Sequence, residues 1–594
     1  MKKMMSLRTA VSLIISLVMV FTITGCQGNE KNPPGSSTSA SNAGGGTGTT
    51  GHTLDQLDAN ADPVQEPLGK YDPEISITTI HGANDGAFWF PEGDDISNNI
   101  YTCTWKERLG INYSFLWTSP GSQSAEKFNI MLTSGDLPDM LSVSKEHFEQ
   151  LYQAGKLEDM TDYLVEYASK YTKKYLTGDY KPLLDYVTKD GRAYGIPNGF
   201  SYHDTGNMVW IRADWLKNLG MEPPKNFAEL EAVMDAFTNK DPDGNGQKDT
   251  YAIASKSFVQ YYEFGMNDAY FNMFDVFPYK WIKDGSGGLQ DGMFGAEQRG
   301  KTRDSLLKLA EYYKKGYLHP EFVTFDDARY QEELLSDKCG IFFRDLWAAY
   351  WPLVLHKDSN PEADWIPVEI PGIDGKPAYC GTDVSQVQNV NVVIKGAKNP
   401  EALVKMCNLY HDLNNNPETM EFAKYNTDPK DNNQIFLAYP FLIYNPSFNY
   451  EGYQAISKAF KSGSADGLSE AYRMFYDQAK AYRDTGDKMG WPPYRSYTSE
   501  GCLNIINSYI ENKRFKMNEY TDTPTQFQLE NESVVKKMYD QMFVQIVLGK
   551  AGAEAFDQFI ASYDKLYYNT AKAEKDEWFK NKGGQSLQEW FDNK

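Results

Sequence analysis

Asp241-Pro242-Asp243-Gly244-Asn245-Gly246-Gln247-Lys248-Asp249 sets hard oxygen donors at alternating positions. Asp241, Asp243 and Asn245 stand at positions 1, 3 and 5 of the run, Gly246 at the turn position 6, Gln247 at 7 (through its carbonyl) and Asp249 at 9. This is the spacing of an EF-hand calcium loop, which wraps several oxygens around one hard cation. Position 12 is Ala252, where that pattern has a bidentate Glu, so a further ligand must come from elsewhere or from water. The expectation is a structural Ca²⁺ site with Asp241, Asp243, Asn245, Gln247 and Asp249 as ligands. The alternative is an Asx-rich turn without metal.

Other reactive constellations are absent from the sequence. There is no Gly-x-Ser-x-Gly, no His-Glu-x-x-His and no Walker loop, and the seven His form no ligand spacing. With 81 acidic residues, chance carboxylate pairs are guaranteed, so they do not argue for a glycosidase. No enzyme is expected; an extracellular lyase or glycosidase is the rival reading. A net charge of −22 argues against nucleic acid, whose phosphates need a basic surface. Aromatics reach 14% of residues, with 40 Tyr and 12 Trp. Phe88-Trp89-Phe90 and Trp347 to Trp351 fall in segments that read as loops. Sugar rings stack their C–H faces on such planes, so the composition suits a carbohydrate, although most aromatics in a large domain are core.

The elements that must carry these residues begin with an address. Lys2, Lys3 and Arg8 precede an apolar run from Val11 to Ile23, too short for a comfortable membrane span. It ends in Ile23-Thr24-Gly25-Cys26, which resembles a bacterial lipobox. That implies a signal peptide over 1–25 and lipidation of Cys26; the alternative is an ordinary signal peptide. Residues 26–71 are Gly/Ser/Thr-rich and read as a flexible tether. The body beyond it is long enough for two or more domains and has no later apolar span. Its five cysteines are widely spaced and odd in number, which leaves disulfides open. Strand-like Ile75–Ile80, Ile111–Phe115 and Met140–Val143 alternate with helical patterns over 99–109 and 125–133. This predicts an α/β start with a mainly parallel sheet, ligands collecting beyond the strand ends. Helical patterns over 302–315, 400–413, 470–485 and 532–548 dominate the rest.

Four segments, in order, resemble the extracellular solute-binding protein family 1, in its LipO-like lipoprotein branch. They are Ser134-Gly135-Asp136-Leu137-Pro138-Asp139 with Gly155-Lys156-Leu157-Glu158-Asp159-Met160; Asp190-Gly191-Arg192-Ala193-Tyr194-Gly195-Ile196-Pro197; Trp210-Ile211-Arg212-Ala213-Asp214-Trp215-Leu216; and Pro524-Thr525 with Ile546-Val547-Leu548-Gly549. The resemblance implies an α/β, two-lobed periplasmic-binding-protein-like fold, type II and of the larger class, with an interlobe ligand cleft and several hinge crossings. It implies a monomer, lipid-anchored on the extracellular face of the membrane, that passes an oligosaccharide to ABC transporter permease subunits. A ligand-sensing lipoprotein for a signalling partner, or a peptide binder, would share the fold. Similar calcium loops occur in relatives that bind alginate oligosaccharides.

By the same resemblance the crossings fall near Ile196–Tyr202, Gly381–Val392 and Trp491–Ser496. Lobe 1 is then 72–200 plus 381–490, and lobe 2 is 201–380 plus 491–594. The loops at these places supply the ligand-binding candidates. Asp85, Trp89 and Asn99 follow the first strand, and Ser144 and Lys145 follow Leu141. Tyr202 and His203 lie at the first crossing. Arg344, Trp347 and Trp351 follow the strand Cys339–Phe343, Asp383 lies at the second crossing, and Trp491 and Tyr494 at the third.

Overall fold

A computed structural model describes residues 51–83, 89–256, 267–430 and 433–594. The expected signal peptide, Cys26 and Asp85 lie outside the described residues. Among the described residues no helix is long and apolar enough to cross a membrane.

Two hydrophobic cores organise residues 51–594. One runs from Leu57 to Ile196 and resumes from Val387 to Ile443. The other runs from Tyr202 to Cys380 and resumes from Tyr450 to Phe591. The chain therefore changes core at 196–202, 380–387 and 443–450. The third is not near Trp491, and lobe 1 ends near 443 instead of 490. The helices Phe448–Ser462 and Glu470–Thr485 turn Tyr450, Tyr453, Ile456 and Tyr476 into the second core, so the chain has crossed well before Trp491.

The first core holds two small sheets. Ile75–Ala83 and Ile111–Pro120 pair in parallel, Ile75 opposite Ile111, across the helical connection that starts at Ile100. Met140–Val143 does not extend that pairing. It runs antiparallel to Ser385–Val393, which also pairs antiparallel with Ile196–Ser201. The alternating pattern over 75–143 gives no hint of this, because the central strand arrives from the other lobe over 240 residues later. In the second core four strands lie in the order Trp365–Val368, Asn207–Arg212, Cys339–Asp345, Tyr251–Ile253, the last pair parallel. Strand Ile196–Ser201 leaves one sheet and strand Asn207–Arg212 enters the other a few residues on, so the first crossing is a short, strand-to-strand link.

The tether is shorter than its composition suggests. From Gly51 the chain lies on the first core, with Leu57 buried. His52 donates its N–H to Asp162 and its carbonyl accepts from Arg192. Lys173 donates to the carbonyl of Ala61, Asn408 to Pro67 and Lys405 to Gly69. Polar composition over 51–70 conceals this docking, because backbone carbonyls and not side chains make most of the contacts. The five cysteines are free thiols; Cys103 is exposed and the other four are buried.

Candidate functional site

The three crossings bring together groups from both lobes. Phe200 is the penultimate residue of the strand Ile196–Ser201 at the first crossing, and Tyr444 stands at the start of the third. Their rings stack at 5.2 Å and 12°. Trp347, in the 3-10 turn after strand Cys339–Asp345 of the second core, lies 5.5 Å from Phe200. Phe436 reaches Tyr444 at 6.1 Å. The segment carrying Phe436 also carries Asn433, whose side chain brackets the backbone of Trp89 with bonds of 3.2 and 2.8 Å. An aromatic surface thus leads from the second lobe, over the crossings, toward the exposed indole of Trp89.

Beside it runs a ladder of amides on the first lobe. Asn198 accepts from the N–H of Tyr444 at 2.7 Å and donates to Asn389 at 2.8 Å, and Asn389 donates to Ser142 at 2.5 Å. Gly199 lets the two strands close up, since a Cβ there would meet the carbonyl of Gln386 at 2.2 Å.

The second lobe adds charge. Asp345 caps the turn that carries Trp347, accepting its N–H at 3.1 Å. Arg344 lies 3.5 Å from Asp345, with its guanidinium 5.7 Å over Trp351. Asp383, on the second crossing, accepts from Asn518 at 2.7 Å. Lys280 stands 3.4 Å from Asp383 and 3.7 Å from Asp268. Burial pushes the Asp268 carboxyl up, Lys280 draws it back down, and Asp383 and Asp345 are close enough to raise it again.

The first crossing is also a lock. His203 is sandwiched between Tyr202 at 4.0 Å and Tyr450 at 5.1 Å, and its Nδ1 meets the hydroxyls of Ser201 and Ser447 at 3.0 Å. Burial pushes its pKa down to about 4. Its neighbour Asp204 moves the other way, to about 7, because burial outweighs the N–H groups that favour its charge.

Of the expected ligand residues, Trp89, Arg344, Trp347, Trp351 and Asp383 fall on or beside this surface. Ser144 and Lys145 lie at the start of helix Lys145–Gln153, on the first lobe; Ser144 caps the helix and exposed Lys145 sits 5.9 Å over the Tyr186 ring. Five others have structural roles. Asn99 is buried and caps its own helix, accepting from Tyr101 and Thr102 and donating to Asp95 and Ile96. Tyr202 is core, packed on Phe515, Trp590 and Phe591. His203 is held in the lock. Trp491 is fully buried and donates to Asp364 at 3.2 Å. Tyr494 packs 5.2 Å from Tyr482 between two helices of the second lobe, away from the third crossing as observed. Tyr202, Trp491 and Trp347 looked alike in the sequence; burial separates the first two, which are core, from half-buried Trp347. Phe200, Tyr444 and Asn389, which the structure also brings to this surface, were not among the expected residues. Phe200 sits beside the Pro197–Gly199 run that marks the crossing, a signal that could have found it.

In the oxygen-rich loop, Asp241 accepts from the N–H of Asn245 at 3.0 Å and of Gly246 at 2.9 Å. The Asn245 amide donates to Asp243 at 2.7 Å and Asp249 at 3.3 Å. Gly246 adopts φ +78°, the left-handed turn that position 6 requires. Partial burial, and Asp241 alongside, push the Asp243 carboxyl up, while backbone donors led by Gly246 hold Asp241 down. Among the described residues no three His, Cys, Asp or Glu side chains are gathered closely enough to hold a metal by themselves. A surface groove of about 670 Å³ opens next to this loop, lined by Thr238, Lys248, Asp249, His319 and Lys338, and is separate from the crossings.

A family model for bacterial extracellular solute-binding proteins matches residues 106–433, more than half of the chain. Lipoprotein LipO of Bacillus subtilis (strain 168) is 26% identical over 229 residues, 37% of this chain and 42% of that protein. The fructooligosaccharide ABC transporter substrate-binding protein FusA of Streptococcus pneumoniae serotype 4 is 29% identical over 264 residues, 42% of this chain and 46% of that one. The chain thus spans under half the length of the curated relatives it matches. Among solved structures, the alginate-binding protein AlgQ2 without calcium ion superposes with a TM-score of 0.55 at 16% identity, covering 86% of this chain and 99% of that one. That likeness extends to the fold.

Proposed function

Because the chain belongs to the bacterial extracellular solute-binding protein family, with the two-lobed periplasmic-binding-protein fold, we propose that it binds an oligosaccharide between its lobes and delivers it to an ABC importer. The observation that carries this reading is the aromatic surface of Phe200, Trp347 and Tyr444, assembled from both lobes at the crossings. Aromatic faces accept sugar C–H faces, and the Asn198–Asn389–Ser142 ladder and the carboxylates beside it can hydrogen-bond hydroxyls. Relative motion of the lobes about three short crossings would then enclose the ligand. FusA, a substrate-binding protein for fructooligosaccharides, supports the same class of ligand.

The remaining parts of the reading rest on the sequence. The lipobox at Cys26 would anchor a monomeric body to the extracellular face of the membrane, and the LipO likeness supports a lipoprotein. The donor set Asp241, Asp243, Asn245 and Asp249, with the Gln247 carbonyl, suits Ca²⁺: it offers hard oxygens on both sides of a turn already in the required conformation, with water to complete the shell. Ca²⁺ would brace the second lobe without touching ligand. A rise in melting temperature with Ca²⁺ that EGTA reverses and Asp243→Asn removes tests this; no rise with the native protein sinks it.

The experiment for the whole reading is calorimetry of residues 51–594 against oligosaccharide panels, with the sugars recovered afterwards. Micromolar binding with the sugar intact supports a binding protein. Cleaved sugar would overturn it in favour of an enzyme. Binding only of peptides would overturn the carbohydrate assignment.

A further inference from the structure

We infer that Gln386 and Gln388 are specificity-determining residues that hydrogen-bond hydroxyls of the bound sugar beside Phe200, an inference that rests on the oligosaccharide reading above. Its first support is a break in period on strand Ser385–Val393. Residues an even number apart share a face of a regular strand. Val387 and Val390 are three apart, yet both belong to the first core. Between them stand two polar residues, Gln388 and Asn389, where a regular strand has room for one.

The pairing shows the cause. Val387 lies opposite Gly199 and Asn389 opposite Asn198, which leaves Gln388 as the extra residue of a β-bulge. Such bulges re-aim side chains and recur next to functional sites. Residues directly opposed across two antiparallel strands share a face of the sheet. Gln386 is opposite Phe200 and Asn389 opposite Asn198, so both amides share the face of the aromatic surface. Gln388 joins them, because Val387 and Val390 take the core side of the strand; all three amide residues are half-buried.

Asn389 is the fixed end of this row, accepting from Asn198 at 2.8 Å and donating to Ser142 at 2.5 Å. Gln386 and Gln388 each carry one more methylene, so their amides reach farther from the sheet than that of Asn389. A carboxamide offers donors and an acceptor in one plane, which matches neighbouring sugar hydroxyls that both donate and accept. The bulge follows the second crossing directly, and Trp347 of the second lobe lies 5.5 Å from Phe200. A ring stacked on these aromatics would present its hydroxyls to the two glutamines.

Calorimetry on residues 51–594 first finds the tightest binder among nystose, maltotriose, xylotriose, mannotriose and trigalacturonate. That sugar and its monodeoxy analogues are then compared on the parent, Gln386→Met and Gln388→Met. Methionine keeps the length and removes the amide, so the melting temperature should stay within about 2 °C of the parent. Each variant should bind the sugar about tenfold more weakly, the usual worth of one hydrogen bond. At least one analogue that the parent binds about tenfold worse should lose nothing further in the variant, because the same bond is already missing. Affinities within about twofold of the parent, or an equal further loss for the sugar and every analogue, with or without a lowered melting temperature, would overturn the inference and leave the oligosaccharide reading intact. No binding of any sugar by the parent would overturn both.

Discussion

Asp204 Oδ2 accepts hydrogen bonds from both the backbone N–H and the side-chain amide of Asn449, each at 2.9 Å, and Oδ1 accepts from the N–H of Tyr450 at 2.8 Å. Asp204 lies in the first crossing and Asn449 in the first turn of helix Phe448–Ser462, which the third crossing enters. Ser447, the residue before that helix, makes no side-chain cap, so the cap is supplied from 245 residues away. One carboxylate thereby ties two of the three links between the lobes.

Asp204→Ala would leave these N–H donors buried without an acceptor. The expected loss is about 2–4 kcal/mol by the usual cost of a lost cap and unsatisfied buried donors. Urea unfolding followed by circular dichroism measures it. A variant within 0.5 kcal/mol of the parent, on the order of the method's error, would show that the cap is not needed.

Against Asp204, whose raised folded pKa favours the opposite trend over the same pH range, His203 makes the lock sensitive to acid. Its folded pKa of about 4 lies below its ordinary 6.5, so the folded state favours the neutral ring. The unfolded chain then binds the extra proton between those values. Stability is fully present above pH 6.5 and is lost as pH falls toward 4, by up to about 3 kcal/mol from this residue. His203→Gln should be less stable at pH 7.5 yet show a shallower loss between pH 6.5 and 4. An unchanged slope in thermal melts across that window would count against His203 as the source.

Residues 51–70 should matter to the body although they read as tether. A chain starting at Gly51 is expected to melt like one retaining the whole tether. A chain starting at Tyr71 exposes the surface under Leu57 and strips acceptors from Lys173, Lys405 and Asn408. We expect a loss of roughly 2–4 kcal/mol. Equal melting temperatures for the two truncations would show the docking to be inconsequential.

Two tryptophans should separate stability from binding. Trp491→Ala removes a fully buried ring and its bond to Asp364, at about 3–5 kcal/mol. Trp347→Ala removes a half-buried ring beside Phe200, which should cost little stability but weaken oligosaccharide binding at least tenfold. The reverse pattern, measured by melting and calorimetry on both variants, would move the site away from Trp347.

Local signals carried much of the architecture. Strands Ile75–Ala83 and Cys339–Asp345, the helices near 401–414 and 470–485, and the Pro197–Gly199 run at the first crossing are all legible from period, branching and turn chemistry. The oxygen spacing from Asp241 to Asp249 is local as well. The sequence by itself therefore determined the family and the two-lobed class, because the segments that carry the resemblance are short runs of residues close together in the chain.

Only the tertiary structure decided which of several similar residues are buried in a core and which line the crossings. Trp347 and Trp491, or Phe200 and Tyr202, differ little in their surroundings along the chain; one of each pair is core and the other lines the crossings. The third crossing shifted for the same reason, since the partner core of helix Phe448–Ser462 is built from segments hundreds of residues away. Burial and charge proximity are properties of packing between distant segments, and a linear pattern with a period of two or 3.6 residues does not encode them.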